Sequence, residues 1–87
     1  MTTRVVEITN RIGLHASPAA FFVQQACSFQ SIIWVEKGDR KINAKSLLGL
    51  LSMGILQGEK ITLIADGTDE VAALDGLEDL LHNKLGN

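Results

Sequence analysis

The spacing of apolar residues in this chain switches between strict alternation and helical repeats, and that switching constrains the fold more than any other feature. Val6 and Ile8 share one face of an extended stretch, Thr3–Thr9, with Glu7 turned the other way. After a turn-like Asn10–Gly13, Pro18 opens a helix. Its missing N–H costs nothing in a first turn, and its φ is already set. Ala19, Phe22, Val23 and Ala26 then recur at helical spacing, until Ser28–Ser31 breaks the pattern. Alternation returns in Ile32–Lys37, with Ile33 and Val35 on one face and Trp34 on the other. Gly38-Asp39 is a tight turn into Arg40–Asn43, which predicts a hairpin. Ser46 is a natural N-cap for the short apolar segment Leu47–Met53, and Gly54 supplies a left-handed stop. Ile61, Leu63 and Ala65 alternate within Lys60–Asp66. Gly67-Thr68-Asp69-Glu70 starts a last helix with acids where the helix dipole favours them. Ala73, Leu74, Leu77 and Leu81 form its buried stripe, and Lys84 sits at its favourable end.

The resulting order, β-α-β-β-α-β-α, is that of an α+β chain. The simplest packing lays the helices on one face of a mainly antiparallel sheet. No linker, repeat or low-complexity stretch divides residues 1–87, so one domain is expected. A chain this size buries roughly 60–65% of its unfolded surface. With 46% apolar residues the core is thin but workable. The second sheet face is expected to meet solvent, with Trp34 either simply exposed there or part of a partner surface.

Charge and composition exclude several functions. Ten acidic against eight basic residues give a net charge of −2, and only four residues are aromatic (Phe21, Phe22, Phe29 and Trp34), which argues against nucleic-acid binding. No apolar run approaches the roughly 18 residues of a membrane span, and the first residues lack the apolar stretch of a secretory signal. One cysteine, Cys27, excludes an internal disulfide and a multi-thiolate zinc site. It is read as a small apolar residue near the end of the first helix. A free thiol fits a cytoplasmic protein. Cys27, His15 and His82 show no metal-ligand spacing, so neither metal nor cofactor is expected.

The two histidines differ in setting. His82 reads as a surface residue interacting with the C-terminus of the last helix. His15 lies in Gly13-Leu14-His15-Ala16-Ser17-Pro18, immediately before a helix. A helix start offers unpaired amides and the positive end of the macrodipole. An imidazole there can carry an anionic group whose oxygens meet those amides, and imidazole is a competent nucleophile. From this physics alone, a loop histidine of no consequence remains the default reading. Ala16 and Ala19 are small enough to let a partner approach. A second feature is the segment after Ser46. Leu47, Leu48 and Leu51 are hard to bury together with Leu50 and Met53, so the segment is either a docking surface or a fully buried core helix.

Taken together, Gly13-Leu14-His15-Ala16 with Pro18-Ala19, Lys45-Ser46-Leu47-Leu48-Gly49 and Ser52-Met53-Gly54 resemble the HPr family, the histidine-containing phosphocarrier proteins of the bacterial sugar phosphotransferase system. The resemblance covers essentially the whole chain. It implies an open-faced β-sandwich with three helices on one face of a four-stranded antiparallel sheet. It implies a phosphocarrier, not a free-standing enzyme, that accepts phosphate on Nδ1 of His15 from enzyme I and passes it to sugar-specific IIA proteins. By the same resemblance, Ser46 is a regulatory site for HPr kinase/phosphorylase, and the phosphoserine form serves a catabolite-control repressor. Ala20, Leu47, Leu48 and Leu51 belong to the partner-docking surface, and Ala16 and Ser17 support the phosphate. The carrier is expected as a monomer or weak dimer. A phosphate on Ser46 adds roughly −1.5 to −2 charges and opposes acidic partners near His15.

One departure matters. The family pattern has arginine between the residues matching Ala16 and Pro18, where this chain has Ser17. Losing a guanidinium–phosphate contact costs on the order of 1.5–3 kcal/mol if nothing replaces it, roughly tenfold to a hundredfold in one transfer step. Ser17 either caps the helix and competes for the amides, or donates a weaker hydrogen bond to phosphate. The alternative function is therefore an HPr-like catabolite-repression co-effector with weak or no carrier activity.

Overall fold

The structure, a computed structural model, describes residues 1–85. The elements run β1 (Thr2–Glu7), α1 (Ala16–Cys27), β2 (Ile32–Lys37), β3 (Arg40–Asn43), α2 (Leu47–Ser52), β4 (Lys60–Asp66) and α3 (Glu70–Asp79), with a π-helical turn over Leu80–Lys84. The four strands form one antiparallel sheet in the order β1-β4-β2-β3. Three helices cover one face, which is the open-faced arrangement expected.

The register explains which face is dry. Val6 pairs with Ile61, Val35 with Leu63 and Ile33 with Ala65, so alternating apolar residues meet side by side. All six are buried, together with Phe22 of α1, Leu50 of α2 and Leu74 and Leu77 of α3. Arg4 lies at the edge of the sheet, and its Nη1 donates to Asp75 Oδ1 at 2.6 Å and to Glu78 Oε1 at 3.1 Å, tying β1 to α3. Asp69 does not cap its own helix through its side chain. Its carboxylate instead accepts from the Gln30 and Ser31 amides, both at 2.9 Å, and from the Ser31 hydroxyl.

β2, β3 and β4 keep the expected bounds. β1 ends at Glu7, not Thr9, yet Ile8 stays buried because its N–H and C=O bond to Glu59 and Gly58 of the loop before β4. Gly38, at φ 62°, makes the two-residue turn between β2 and β3. Other expectations are corrected. Helix α1 starts two residues before Pro18, and His15 is its N-cap, so Ser17 lies inside the first turn and is no cap. Cys27 is exposed at the end of α1, because it falls outside the stripe of Ala19, Phe22 and Ala26. Trp34 is half-buried on the open face, with the Lys41 ammonium 5.0 Å from the ring centroid. His82 is a surface residue, but it turns to β1: its Nε2 lies 3.1 Å from the Glu7 carbonyl oxygen.

Candidate functional site

The loop leading into α1 is fastened at several points. Gly13 N–H donates to Asn10 O at 3.2 Å and closes a turn, while Asn10 Nδ2 donates back to Gly13 O at 2.8 Å. Asn10 is buried, and its Oδ1 has no partner among the described residues. Leu14 N–H donates to Ile55 O at 3.1 Å, and the Leu14 side chain is fully buried. Gly13 has φ 73°, and a Cβ there would meet Ile55 O at 2.4 Å, so only glycine lets the loop lie this close. The opposing segment is itself braced. Glu59 accepts from Leu56 N–H at 2.8 Å and pairs with Lys37 Nζ at 2.8 Å, and these contacts hold its carboxyl below the usual range.

This clamp presents His15 in extended backbone, φ −128° and ψ 163°, as the N-cap of α1. Its ring caps nothing. Ala16 follows at φ 51°, the one non-glycine with positive φ among the described residues. The amides of Ala16 and Ser17 donate to no acceptor among the described residues, and Pro18 has no N–H. Ala19 N–H is the first to close a helical bond, onto His15 O at 3.4 Å. Ala16, Ser17 and Ala20 are exposed, and His15 is half-buried. The arrangement puts a side chain with a nucleophilic nitrogen beside two free donors at the positive end of a helix.

The second predicted site lies on α2, which packs beside α1. Ser46 is its N-cap, with Oγ accepting from Gly49 N–H at 3.1 Å. Its far end is neutralised by cations: Arg40 Nη1 donates to Ser52 O at 2.8 Å and Lys37 Nζ to Met53 O at 3.2 Å. Leu50 and Met53 are buried, whereas Leu47, Leu48 and Leu51 are 41%, 82% and 37% exposed. The helix is therefore not a fully buried core helix. Sequence reasoning missed Ile12 and Leu56, which are also exposed. They fall in irregular segments where no periodicity marks a face; the run of apolar residues beside glycines was their only signal.

Among the described residues, no three His, Cys, Asp or Glu come together to hold a metal ion, and no helix is long and apolar enough to cross a membrane. A family model described as "PTS HPr component phosphorylation site" matches residues 2–83. The chain belongs to the PTS-HPr family. It is a family of phosphocarrier proteins. Among similar proteins is the HPr-like protein Crh of Halalkalibacterium halodurans, 48% identical over 77 residues, which covers 88% of this chain and 92% of that protein. The phosphocarrier protein HPr of Treponema pallidum is 42% identical over 84 residues, 97% of this chain and 96% of its own length. The crystal structure of HPr-C-His from Thermoanaerobacter tengcongensis superposes with a TM-score of 0.96 at 49% identity, covering 100% of this chain and 98% of that one. The HPr fold therefore extends over all the elements that hold His15 and Ser46.

Proposed function

We propose that residues 1–87 act as one HPr-like carrier domain in which His15 takes a phosphoryl group from enzyme I and hands it to sugar-specific IIA proteins. One observation supports this reading above the others: His15 stands at the start of α1 with the Ala16 and Ser17 amides unengaged beside it. Those donors suit phosphate oxygens and the dipole favours the charge. The nitrogen that carries the phosphate is Nδ1 by family resemblance. The domain works as a relay whose partners supply most of the transition-state stabilisation. Exposed Ala20, Leu47, Leu48 and Leu51 are the surface on which enzyme I and IIA proteins dock. His15, its amides and α2 come from one chain, and the working unit is a cytoplasmic monomer or weak dimer.

Ser46 is the regulatory site, phosphorylated by HPr kinase/phosphorylase and then read by a catabolite-control repressor. Its phosphate at the α2 N-terminus adds negative charge to the docking surface and repels acidic partners. Incubation with enzyme I and phosphoenolpyruvate tests the carrier reading. An acid-labile, alkali-stable phosphate should form and be lost in His15→Ala, whereas its absence from the unaltered protein overturns the reading. ATP and the serine kinase should place an acid-stable phosphate on the protein, and labelling that persists in Ser46→Ala would show the site to be elsewhere.

A further inference from the structure

Gly49 stands inside α2, where a residue without a side chain weakens a helix relative to alanine. Its backbone is helical and not left-handed, so conformation does not call for glycine. Packing against the rest of the fold does not call for it either. A Cβ at this position would meet Ile42 Cβ and Ser46 Cβ at 3.4 Å, which is ordinary contact, and none of its three nearest neighbours is a backbone atom. The tight approach is to Ser46 Oγ, at 3.2 Å. That same oxygen accepts from Gly49 N–H at 3.1 Å and caps the helix. A methyl group at position 49 would therefore press on the hydroxyl that position 49 also holds. Turning the hydroxyl away relieves the contact only by giving up the cap. A bare hydroxyl can yield the small distance that alanine asks. An oxygen bonded to phosphorus, with three further oxygens to house, has far less freedom.

We propose that Gly49 keeps the Ser46 hydroxyl open to phosphorylation, so that a side chain at 49 works against the modified protein and not the unmodified one; this rests on the regulatory reading of Ser46 above. In the transfer, a lone pair on Ser46 Oγ forms the new O–P bond to the terminal phosphorus of a nucleoside triphosphate. The bond from that phosphorus to its bridging oxygen breaks, and the electron pair leaves with the nucleoside diphosphate. The hydroxyl proton passes to a basic group of the kinase. Gly49 takes no part in the bond exchange; it leaves room for the group that arrives.

The test separates the effect of a methyl group on the phosphate from its effect on the fold. Unmodified Gly49→Ala should melt within about 3 °C of the unaltered protein, because better helix propensity offsets the tight contact. With the serine kinase and ATP, kcat for Gly49→Ala should fall about tenfold while KM stays nearly unchanged. Phosphoserine incorporated at position 46 during synthesis gives a comparison that needs no kinase. In Gly49→Ala that phosphate should lower the melting temperature by about 5 °C relative to its effect in the unaltered protein. Equal effects of the phosphate in the two proteins overturn the proposal, and slowed phosphorylation would then place position 49 against the kinase. A Gly49→Ala protein that melts far below the unaltered one without any phosphate overturns it too, since the glycine would then serve the fold. Failure of the kinase to label Ser46 in the unaltered protein would instead defeat the regulatory reading.

Discussion

Gly13 and Ser17 flank His15 in the chain, one buried against Ile55 and one exposed in the first turn of α1. Gly13 lies against Ile55 O with positive φ. Gly13→Ala should lose about 2 kcal/mol in urea unfolding, from strain and displaced backbone, and should slow phosphorylation of His15 as well. Ser17 is exposed and caps nothing in the helix. Ser17→Arg should leave stability unchanged and speed loading by enzyme I about tenfold, measured as the initial rate of phosphohistidine formation. That His15 comes just before a helix was legible, because Pro18 marks a first turn. The start of the helix was not. Pro18 reads as a first residue, but the left-handed Ala16 after an extended His15 brings the helix forward.

Helix α2 sets a buried leucine beside exposed ones within six residues. Leu50 is fully buried, so Leu50→Ala should cost about 2–5 kcal/mol. Leu48 is mostly exposed, so Leu48→Ala should leave the melting temperature nearly unchanged and weaken binding of enzyme I in calorimetric titration. Ser46→Ala removes the cap and should cost about 1 kcal/mol, whereas Ser46→Asp retains a capping oxygen and should melt near the unaltered protein. Thermal unfolding of the three variants reads these effects. This division was legible because Leu47, Leu48, Leu50 and Leu51 crowd more than one face of a helix. The half-burial of Trp34 was not, since it depends on Lys41 reaching over it from the neighbouring strand.

Across the whole molecule, the edge strand β1 is fastened to α3 by charge. Glu70 accepts from the Thr2 hydroxyl, from Gly67 N–H at 3.1 Å and from the Met1 amino group at 3.1 Å, and these contacts lower its carboxyl from 4.5 to about 2. A carboxyl held low in the folded state contributes stability above its unfolded value and loses it as pH falls through the folded one. Stability should therefore decline as pH drops from 4.5 towards 2, and Glu70→Gln should flatten that part of the profile in denaturant titrations. The pairing of β1 with β4 was not legible, because alternation marks a strand but leaves its partner across the chain undetermined. The hairpin of β2 and β3 was legible, because Gly38-Asp39 sets its register locally.

The fold matters to function only if phosphate passes through His15 to another protein. The most direct measurement is to load the chain with labelled phosphate, remove enzyme I and phosphoenolpyruvate, and add a IIA protein. The label should move to the IIA protein at a rate set by its concentration, with nothing to transfer in His15→Ala. Label that stays on the chain, or leaves it only as free phosphate at a rate indifferent to the acceptor, would contradict the relay.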